Sequence, residues 1–394
     1  MAEWITTNLE ECTDVLGDGL HGTPKYTERG EYAFINGNNL VDGEILIKKE
    51  TKRVDYSQYE KYKKPLTDRT ILVSINGTLG NVGIYDSEKI ILGKSACFFN
   101  VKESVDKDFI YYIVSSPAFK QYLESNATGT TIKNISLKQM RKYTFSLPQI
   151  SEQKRISSVL RRIDEKIKNN RAINKNLEQQ AQAYFDELFV VNADPNWSEC
   201  TLSDIGSVVA GGTPSKSKPE YYADQGIAWI TPKDLSVNKS KFISHGENDI
   251  SELGFSKSSA AKMPAGTILF SSRAPIGYIA IAQNEVTTNQ GFKSVIPNEN
   301  IGTAYLYFLL KNLLPTIEGM ASGSTFKEMS GSAMKSVPTV MPDANTIQLF
   351  SSFCEPVFKE QEILEAENQR LSALRNSLLP KLMSGELDVS DIDL

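Results

Sequence analysis

Three short stretches of this 394-residue sequence contain residue types that could catalyse a reaction. Asp42 with Glu50-x-Lys52 has the charged groups of a metal-dependent nuclease centre, but such loose spacing arises easily by chance and fits an exposed charged loop better. Gly93-Lys94-Ser95 has the end of a phosphate-binding loop, yet Glu88 stands where that loop needs its first glycine. Asp194-Pro195-Asn196-Trp197 has the wrong third residue for the Asp-Pro-Pro-Tyr type of motif that holds a flipped adenine. The sequence therefore predicts no catalytic residues.

The cysteines and histidines are too few and too scattered to form a zinc site or a disulfide framework. They are Cys12, Cys97, Cys200, Cys354, His21 and His245, with no CxxC spacing. No window approaches the length of a membrane span, and the first residues lack the basic and apolar segments of a signal peptide. We therefore expect a cytoplasmic protein that binds no metal and no cofactor of its own.

The polar residues that could instead bind a ligand lie in loops that occur twice, because the sequence contains an internal repeat. The matching pairs are Trp4-x4-Leu9 and Trp197-x4-Leu202, Gly22-Thr23-Pro24 and Gly212-Thr213-Pro214, Thr70–Ser74 with Gly80 and Thr267–Ser271 with Gly277, and Ala127–Ser136 and Ala321–Ser330. The last pair contains a Thr-Thr-x-Lys or Ser-Thr-x-Lys loop. Two such loops, each placed before a long helix, serve either to bind a ligand or to anchor the globule to that helix.

Local patterns within each copy predict short strands and short helices. Apolar runs bounded by Gly, Asn, Ser and Pro predict strands, as in TILVSI, NVGIY, ACFFNV, TILFSS and GYIAIA. FIYYIVSSPAFKQYLES and TAYLYFLLKNLLPTIEG predict short helices. Each copy is therefore expected to be a mixed α+β globule with exposed polar loops.

Two long amphipathic helices should position these globules. Gln149–Phe189 contains neither glycine nor proline, and its apolar or small residues mostly recur in steps of three and four, with Ile173 and Asn170 among the seam positions and Ser151 as the expected N-cap. A second heptad-like run extends from Ile347 to Leu379. Pro356 predicts a kink or late start in that run, and Pro380 predicts its end. The alternative is that the two helices pack separately on their own domains.

The sequence thus predicts an α+β protein with two similar mixed α/β domains, separated by a pair of long antiparallel coiled-coil helices and related by a pseudo-two-fold internal repeat. The predicted boundaries are 1–148 for the first domain, 149–191 for the central helix, 192–345 for the second domain, 346–380 for the C-terminal helix and 381–394 for a tail.

Duplex DNA is the ligand that best fits two similar globules on a rigid spacer, since protein symmetry is mirrored in the spacing of half-sites. The net charge of −5 at first argues against DNA, but residues 346–394 contain 4 basic and 9 acidic residues, so the excess acid lies in the second helix and tail. Asn, Gln and Arg can pair with base edges, while Lys and hydroxyl groups suit phosphates. The candidate DNA-binding residues are Lys25, Asn36, Asn38, Asn76, Lys94, Thr130, Thr131, Lys133, Ser215, Lys216, Lys233, Ser272, Arg273, Asn289, Gln290, Ser324, Thr325 and Lys327. Each could equally be an exposed polar loop residue.

The whole chain resembles the specificity subunit of type I restriction-modification systems. The resemblance rests on two divergent halves that each end in an Ala-(Thr/Ser)-Gly-(Thr/Ser)-Thr-(Ile/Phe)-Lys loop, a proline and a long helix, with EQKRI opening the first helix and SLLPKLMSGEL closing the second. One departure is Asp343–Ile347, which lacks the Glu-Gln pair found in Gln149–Gln153.

This resemblance implies a non-catalytic DNA-binding subunit with two target recognition domains, each of which reads one half of a split, asymmetric site. It implies that the paired helices set the unread spacer and dock two adenine methyltransferase subunits, which a translocase-nuclease subunit can join. S-adenosylmethionine and ATP are then expected on the partner subunits and not on this chain. Two alternatives stay open: a methyltransferase or nuclease that works alone, and a coiled-coil scaffold with no role in DNA binding.

Overall fold

The computed structural model describes residues 4–129, 131–323 and 327–389. It contains two compact units: unit one comprises residues up to Ile167 together with those from Arg370 onward, and unit two comprises Lys168–Gln369. Each unit consists of a globule of strands and short helices together with segments of two long helices. The predicted mixed α/β globules and long helices are confirmed.

Unit one contains eleven strands among its described residues. They are β1 (Ile5–Asn8), β2 (Thr13–Asp18), β3 (Tyr32–Ile35), β4 (Leu40–Val41), β5 (Glu44–Ile45), β6 (Arg53–Val54), β7 (Thr70–Ser74), β8 (Val82–Ile84), β9 (Ile90–Leu92), β10 (Ala96–Val101) and β11 (Thr144–Leu147). The helices that begin in this unit are α1 (Tyr56–Tyr62), α2 (Lys107–Ser115), α3 (Pro117–Asn126), α4 (Leu137–Arg141) and the long α5 (Ile150–Asp186). The main sheet has the order β2-β10-β7-β8, and a smaller sheet has the order β6-β3-β9. Every residue of β10 is buried, as its continuous apolar run predicts for a central strand.

Unit two repeats this topology. Its strands are β12 (Ser198–Thr201), β13 (Gly206–Ala210), β14 (Tyr222–Ala223), β15 (Ile227–Ile230), β16 (Phe242–Ile243), β17 (Asn248–Ile250), β18 (Ile268–Ser272), β19 (Ile276–Ala282), β20 (Thr287–Thr288), β21 (Lys293–Pro297) and β22 (Pro338–Met341). Its helices are α6 (Leu202–Ile205), α7 (Pro232–Val237), α8 (Glu252–Ser256), α9 (Thr303–Asn312), α10 (Leu314–Met320), α11 (Gly331–Lys335) and the long α12 (Ala344–Met383). The sheet β13-β21-β18-β19-β16 corresponds to the main sheet of unit one, and β14-β17-β15-β20 corresponds to the smaller one. The internal repeat is therefore a repeat of fold as well as of sequence.

The ends of the two long helices differ from the prediction in detail. Ser151 lies inside α5 and is not its N-cap, because the Gln149 carbonyl accepts the first helical hydrogen bonds. Pro356 and Pro380 both lie within α12, so the predicted late start and the predicted end are wrong. Each proline removes one backbone donor, so α12 continues through both positions without the helical hydrogen bond that a backbone N–H would make there. No helix in the described ranges has the length and apolar character needed to cross a membrane.

The two long helices pair in an antiparallel sense within unit two, as predicted. Asn170 Nδ2 donates to Asn368 Oδ1 at 3.1 Å, and the Gln361 side chain donates to the Asn174 carbonyl at 3.1 Å. Higher numbers on α5 thus match lower numbers on α12. Ile173 is 46 % exposed, so the predicted seam position is wrong, and the neighbouring Asn174 faces α12 instead. The seam drifts because a straight helix has 3.6 residues per turn, not 3.5.

A buried charge cluster joins the globule of unit two to both long helices. The Lys241 ammonium, in a residue only 8 % exposed, forms an ion pair with Glu178 of α5 and donates to Gln361 Oε1 of α12 at 2.7 Å. The same ammonium lies 4.0 Å from the ring centre of Phe358, and Lys311 contributes a second ion pair to Glu178 at 2.5 Å. Burial raises the pKa of Glu178, but attraction from the two lysines outweighs it, and the pKa is lowered overall.

Unit one has a more open connection at the corresponding place. Arg375 Nη1 of α12 lies 2.7 Å from Asp164 Oδ1 of α5, and the Tyr112 hydroxyl donates to Asp164 Oδ2 at 2.8 Å. About a third of the Arg375 side chain is exposed, 33 %, so water screens this pair more than the cluster of unit two.

Candidate nucleic-acid interface

Polar loops meet at one edge of unit one because β3 and β9 are parallel neighbours whose carboxyl ends point the same way. The first strand ends just before Asn36, and the second ends just before the turn Gly93–Ser95. The Ser95 hydroxyl donates a hydrogen bond of 2.9 Å to Asn36 Oδ1 and accepts one of 3.0 Å from Gly37 N. Ser95, which the sequence analysis did not select, therefore fixes Asn36 beside the exposed Lys94.

The loop after β7 joins the same edge. Ile75 N donates to the Ser95 carbonyl at 2.9 Å. The next residue, Asn76, donates through Nδ2 to Asn134 Oδ1 at 3.1 Å, and Lys133 is exposed beside it. We call this surface the loop edge of unit one, and its predicted members are Asn36, Asn38, Asn76, Lys94, Thr131 and Lys133.

Two further predicted residues of this half do not belong to the loop edge as described. The backbone of Lys25 donates to Gln58 Oε1 at 3.0 Å, which places Lys25 beside α1. Thr130 lies outside the described residues.

Unit two builds the same backbone frame with different side chains. Here β15 and β20 are the parallel neighbours. Ser272 N donates to the Gly291 carbonyl at 2.7 Å, which corresponds to the bond from Ile75 N to the Ser95 carbonyl in unit one. Arg273 Nη1 lies 3.4 Å from Glu328 Oε2. This ion pair occupies the position of the amide pair between asparagines in unit one.

The remaining polar residues of unit two converge on the same frame. Thr213 donates to Gln290 Oε1, which brings the loop of Ser215 and Lys216 beside the turn after β20. The Asn289 side chain accepts from the backbone two residues further on at 2.8 Å and shapes that turn. The loop edge of unit two comprises Ser215, Lys216, Arg273, Asn289, Gln290 and Lys327.

The structure corrects the prediction for Ser272. This residue is fully buried, and its hydroxyl donates to the Gly291 carbonyl at 3.0 Å, so its side chain supports the frame from inside and is not exposed at the loop edge. Lys233 is exposed but forms an ion pair with Glu247 at 2.5 Å. Ser324 and Thr325 lie outside the described residues.

Lys293, which was not among the residues predicted from the sequence, lies under the loop edge of unit two. It is 9 % exposed, and its ammonium lies 3.5 Å from the Gln290 carbonyl. Burial lowers its pKa, Glu328 raises it and Arg273 lowers it further. A lysine two residues before the apolar run Val295–Pro297 was the only signal in the sequence.

Residues that the sequence offered for a nuclease-like centre lie in a loop of unit one. Glu50 and Lys52 are exposed in the turn before β6, which fits the charged-loop alternative. Burial raises the pKa of the Cys354 thiol to about 12, which keeps this sulfur protonated and unreactive at neutral pH. Within residues 4–129, 131–323 and 327–389, no group of three His, Cys, Asp or Glu side chains is arranged to hold a metal ion.

Comparison with known proteins agrees with this arrangement. The family model of the type I restriction modification DNA specificity domain matches residues 1–179 and again 195–373. The chain is 40 % identical over 190 residues to the type I restriction enzyme MjaIX specificity subunit of Methanocaldococcus jannaschii, a match that covers 46 % of this chain and 44 % of that protein. It is 23 % identical over 358 residues to the HindI specificity subunit of Haemophilus influenzae, covering 71 % of this chain and 77 % of that one.

A solved structure shares the fold over almost the whole length. The crystal structure of the type I restriction-modification system S subunit from M. genitalium superposes with a TM-score of 0.61 at 20 % identity, covering 97 % of this chain and 96 % of that one. The two matches to the family model coincide with the two halves of the internal repeat. The chain therefore belongs to the type I restriction modification DNA specificity domain family, and it contains two such domains.

Proposed function

We propose that this chain is the DNA-recognition subunit of a type I restriction-modification complex, in which the loop edge of each unit reads one half of a bipartite duplex site. One observation carries the proposal. The two loop edges share a backbone frame but present different hydrogen-bonding groups, asparagine amides in unit one and an arginine with a glutamine in unit two. Two frames of one design with different donors and acceptors suit the recognition of two different base sequences.

The chemistry of the individual side chains supports this role. Arg273 can donate two hydrogen bonds to the major-groove edge of a guanine, and the amides of Asn76 and Gln290 can pair with an adenine. Lys94, Lys133 and Lys327 are exposed at the rims of the loop edges, where their charge suits phosphate oxygens. The hydroxyls of Thr131 and Ser215 can donate hydrogen bonds to phosphate oxygens of the DNA backbone. Phosphate contacts would fix the register, and base contacts would specify the sequence.

The reaction itself is assigned to partner subunits. Membership of the specificity family supports a complex with two adenine methyltransferase subunits docked on the long helices, which a translocase-nuclease subunit can join. S-adenosylmethionine and ATP would then bind the partners, this chain would be non-catalytic, and the assembly would act on cytoplasmic DNA. Leu349 and Ile363 are 55 % and 49 % exposed on α12, which gives a partner apolar surface to cover.

Methylome sequencing tests the proposal. The chain is co-expressed with an adenine methyltransferase subunit of a type I system in a host without adenine methylation, and methylated positions are mapped. We expect one bipartite motif that disappears when this chain is omitted. Methyl transfer by the purified chain alone would show a stand-alone enzyme, and a complex without sequence preference would show a scaffold; either result would overturn the proposal.

A further inference from the structure

A cluster of basic side chains lies on the smaller sheet of unit one and is not part of the loop edge. Residues 48–64 contain 7 basic and 3 acidic residues. We call the following five lysines the basic patch: Lys48, Lys49, Lys52, Lys61 and Lys64. The first four are exposed and the fifth is partly exposed. In the described part of the chain none of them forms an ion pair, whereas nearby Lys63 is held by Glu60 at 2.5 Å.

The patch is held rigidly beside the loop edge. Asn39, in the same loop as Asn36, donates through Nδ2 to the Leu46 carbonyl at 2.9 Å and to Thr51 Oγ1 at 3.4 Å. Thr51 Oγ1 also accepts from Lys48 N at 2.9 Å, which closes the turn that contains the first lysines. The part of the patch formed by Lys48, Lys49 and Lys52 is therefore tied to the loop that presents Asn36.

Helix α1 contains Lys61, is followed by Lys64, and packs on the same small sheet. The Asp55 carboxylate caps the helix by accepting from Gln58 N at 2.9 Å. Tyr59 stacks on Tyr32 of β3 with ring centres 4.0 Å apart, which fixes the helix against the sheet. Lys25, predicted from sequence to bind DNA, is tied to Gln58 and so lies beside this patch.

The corresponding element of unit two lacks this charge. Strand β17 pairs with β15 as β6 pairs with β3, and each is followed by a capped helix, α8 or α1. Residues 244–262 contain 2 basic and 3 acidic residues. Lys262 among them is paired with Glu285 at 3.0 Å. The basic patch is thus a property of unit one and not of the shared fold.

We propose that the basic patch is a second, sequence-independent binding site for duplex DNA that contacts phosphates flanking the half-site read by unit one. Exposed lysines without carboxylate partners repel one another, and phosphates would relieve that repulsion and release counterions. The inference rests on the proposed DNA-recognition function and adds an asymmetry to it: unit one supplies most of the nonspecific affinity.

The test compares two charge-matched triple variants of the full chain, as purified alone and in the methyltransferase complex. Lys48→Gln/Lys49→Gln/Lys52→Gln removes part of the patch, and Lys239→Gln/Lys257→Gln/Lys262→Gln removes three exposed lysines from unit two. Binding to a fluorescent duplex of arbitrary sequence is titrated at several salt concentrations. Each lost phosphate contact lowers the logarithmic salt slope by about 0.9, so the patch variant should lose about 2.7 and the control variant close to none. The base sequence of the methylated motif should not change.

Four results would overturn the inference. Equal losses of salt slope in both variants would show an effect of net charge and not of the patch. An unchanged slope in the patch variant, with normal binding by the wild type, would show that the patch does not bind DNA and would leave the proposed function intact. Loss of methyltransferase binding with unchanged duplex affinity would assign the lysines to an acidic protein surface. A wild-type chain with no affinity for any duplex would overturn the proposed function as well, so the two failures are distinguishable. Unchanged circular dichroism would show that the variants are folded.

Discussion

The loop edges of the two units have the same backbone hydrogen bonds and different side-chain pairs. In unit one the pair is Asn76 with Asn134, which is neutral, and in unit two it is Arg273 with Glu328, which is charged. The frame fixes where a side chain stands, while the residue at that place decides which base edge it can match. Recognition can therefore change in one unit without change in its fold.

The two units also differ in the side chains that join each globule to the long helices. Unit two uses a buried charge cluster around Glu178, and unit one uses the half-open pair of Asp164 and Arg375. Burying charge is costly, and removing one partner leaves the other without compensation. The contrast between the units can be tested by treating both in the same way.

The largest effect is expected for the connections. Glu178→Ala leaves Lys241 and Lys311 without their carboxylate partner, and Lys241 is buried. This substitution should lower the free energy of unfolding by about 3–5 kcal/mol. Asp164→Ala leaves a partly exposed arginine and the Tyr112 hydroxyl without their partner, and should cost about 1–2 kcal/mol. Urea denaturation followed by circular dichroism measures both. The double variant Glu178→Gln/Lys241→Met should recover part of the loss, and equal losses at the two connections would contradict the comparison.

The next effect concerns specificity. Arg273→Ala and Asn76→Ala should each remove about 1–3 kcal/mol of base discrimination, and each should relax a different half of the recognised motif. Binding to a randomised duplex library, followed by sequencing of the bound fraction, measures this. Glu328→Gln is the matched control, because it keeps Arg273 and frees it from its ion pair. If both substitutions relaxed the same half, the two loop edges would not read separate tracts.

A smaller effect is expected from the lysines at equivalent places in the two units. Lys133→Ala and Lys327→Ala should each weaken binding to every sequence and reduce the salt slope by about 1. Salt-dependent titrations against matched and scrambled duplexes test this. A change confined to one base position would instead make the lysine a base contact, and no change at all would leave it an ordinary loop residue.

The smallest effect is a dependence of stability on pH. Because the pKa of Glu178 is lowered in the folded state, its contribution is present above the ordinary glutamate range and is lost as the pH falls through the lowered pKa. Burial raises the pKa of Glu365 in the same cluster, so that group contributes with the opposite sign. Wild type and Glu178→Gln should therefore differ most above the glutamate range and converge in acid. Parallel curves of unfolding free energy against pH would contradict this.

The sequence predicted the elements whose signals are local or repeated. Apolar runs such as Ala96–Val101 became central strands, and the motif repeat marked equivalent loops. It failed where side-chain direction decides the outcome. Ser272 looked like a loop residue next to Arg273, but a serine that ends a strand can turn its hydroxyl to a neighbouring carbonyl as easily as to solvent.

Buried charges were equally hidden from the sequence. Nothing in Lys239–Ile243 distinguishes Lys241, which is buried between helices, from an exposed lysine, because its partner Glu178 lies 63 residues earlier on the chain. The same holds for Lys293 under its loop edge. The burial of a side chain whose neighbours come from distant segments can be read only from coordinates. Helices, strands and repeats can be predicted from the local pattern of the sequence.

The division of the chain has a consequence for the order of folding during synthesis. Unit two is one continuous segment, whereas unit one contains residues up to Ile167 and again from Arg370 onward. Leu379 and Leu382 complete the same apolar cluster as Ile156 and Leu160. Unit one therefore cannot complete its apolar core when its first segment has been translated. It can do so only after unit two and the residues from Arg370 onward have left the ribosome. A break in translation after Gln369 would release an intact second unit and an unfinished first one.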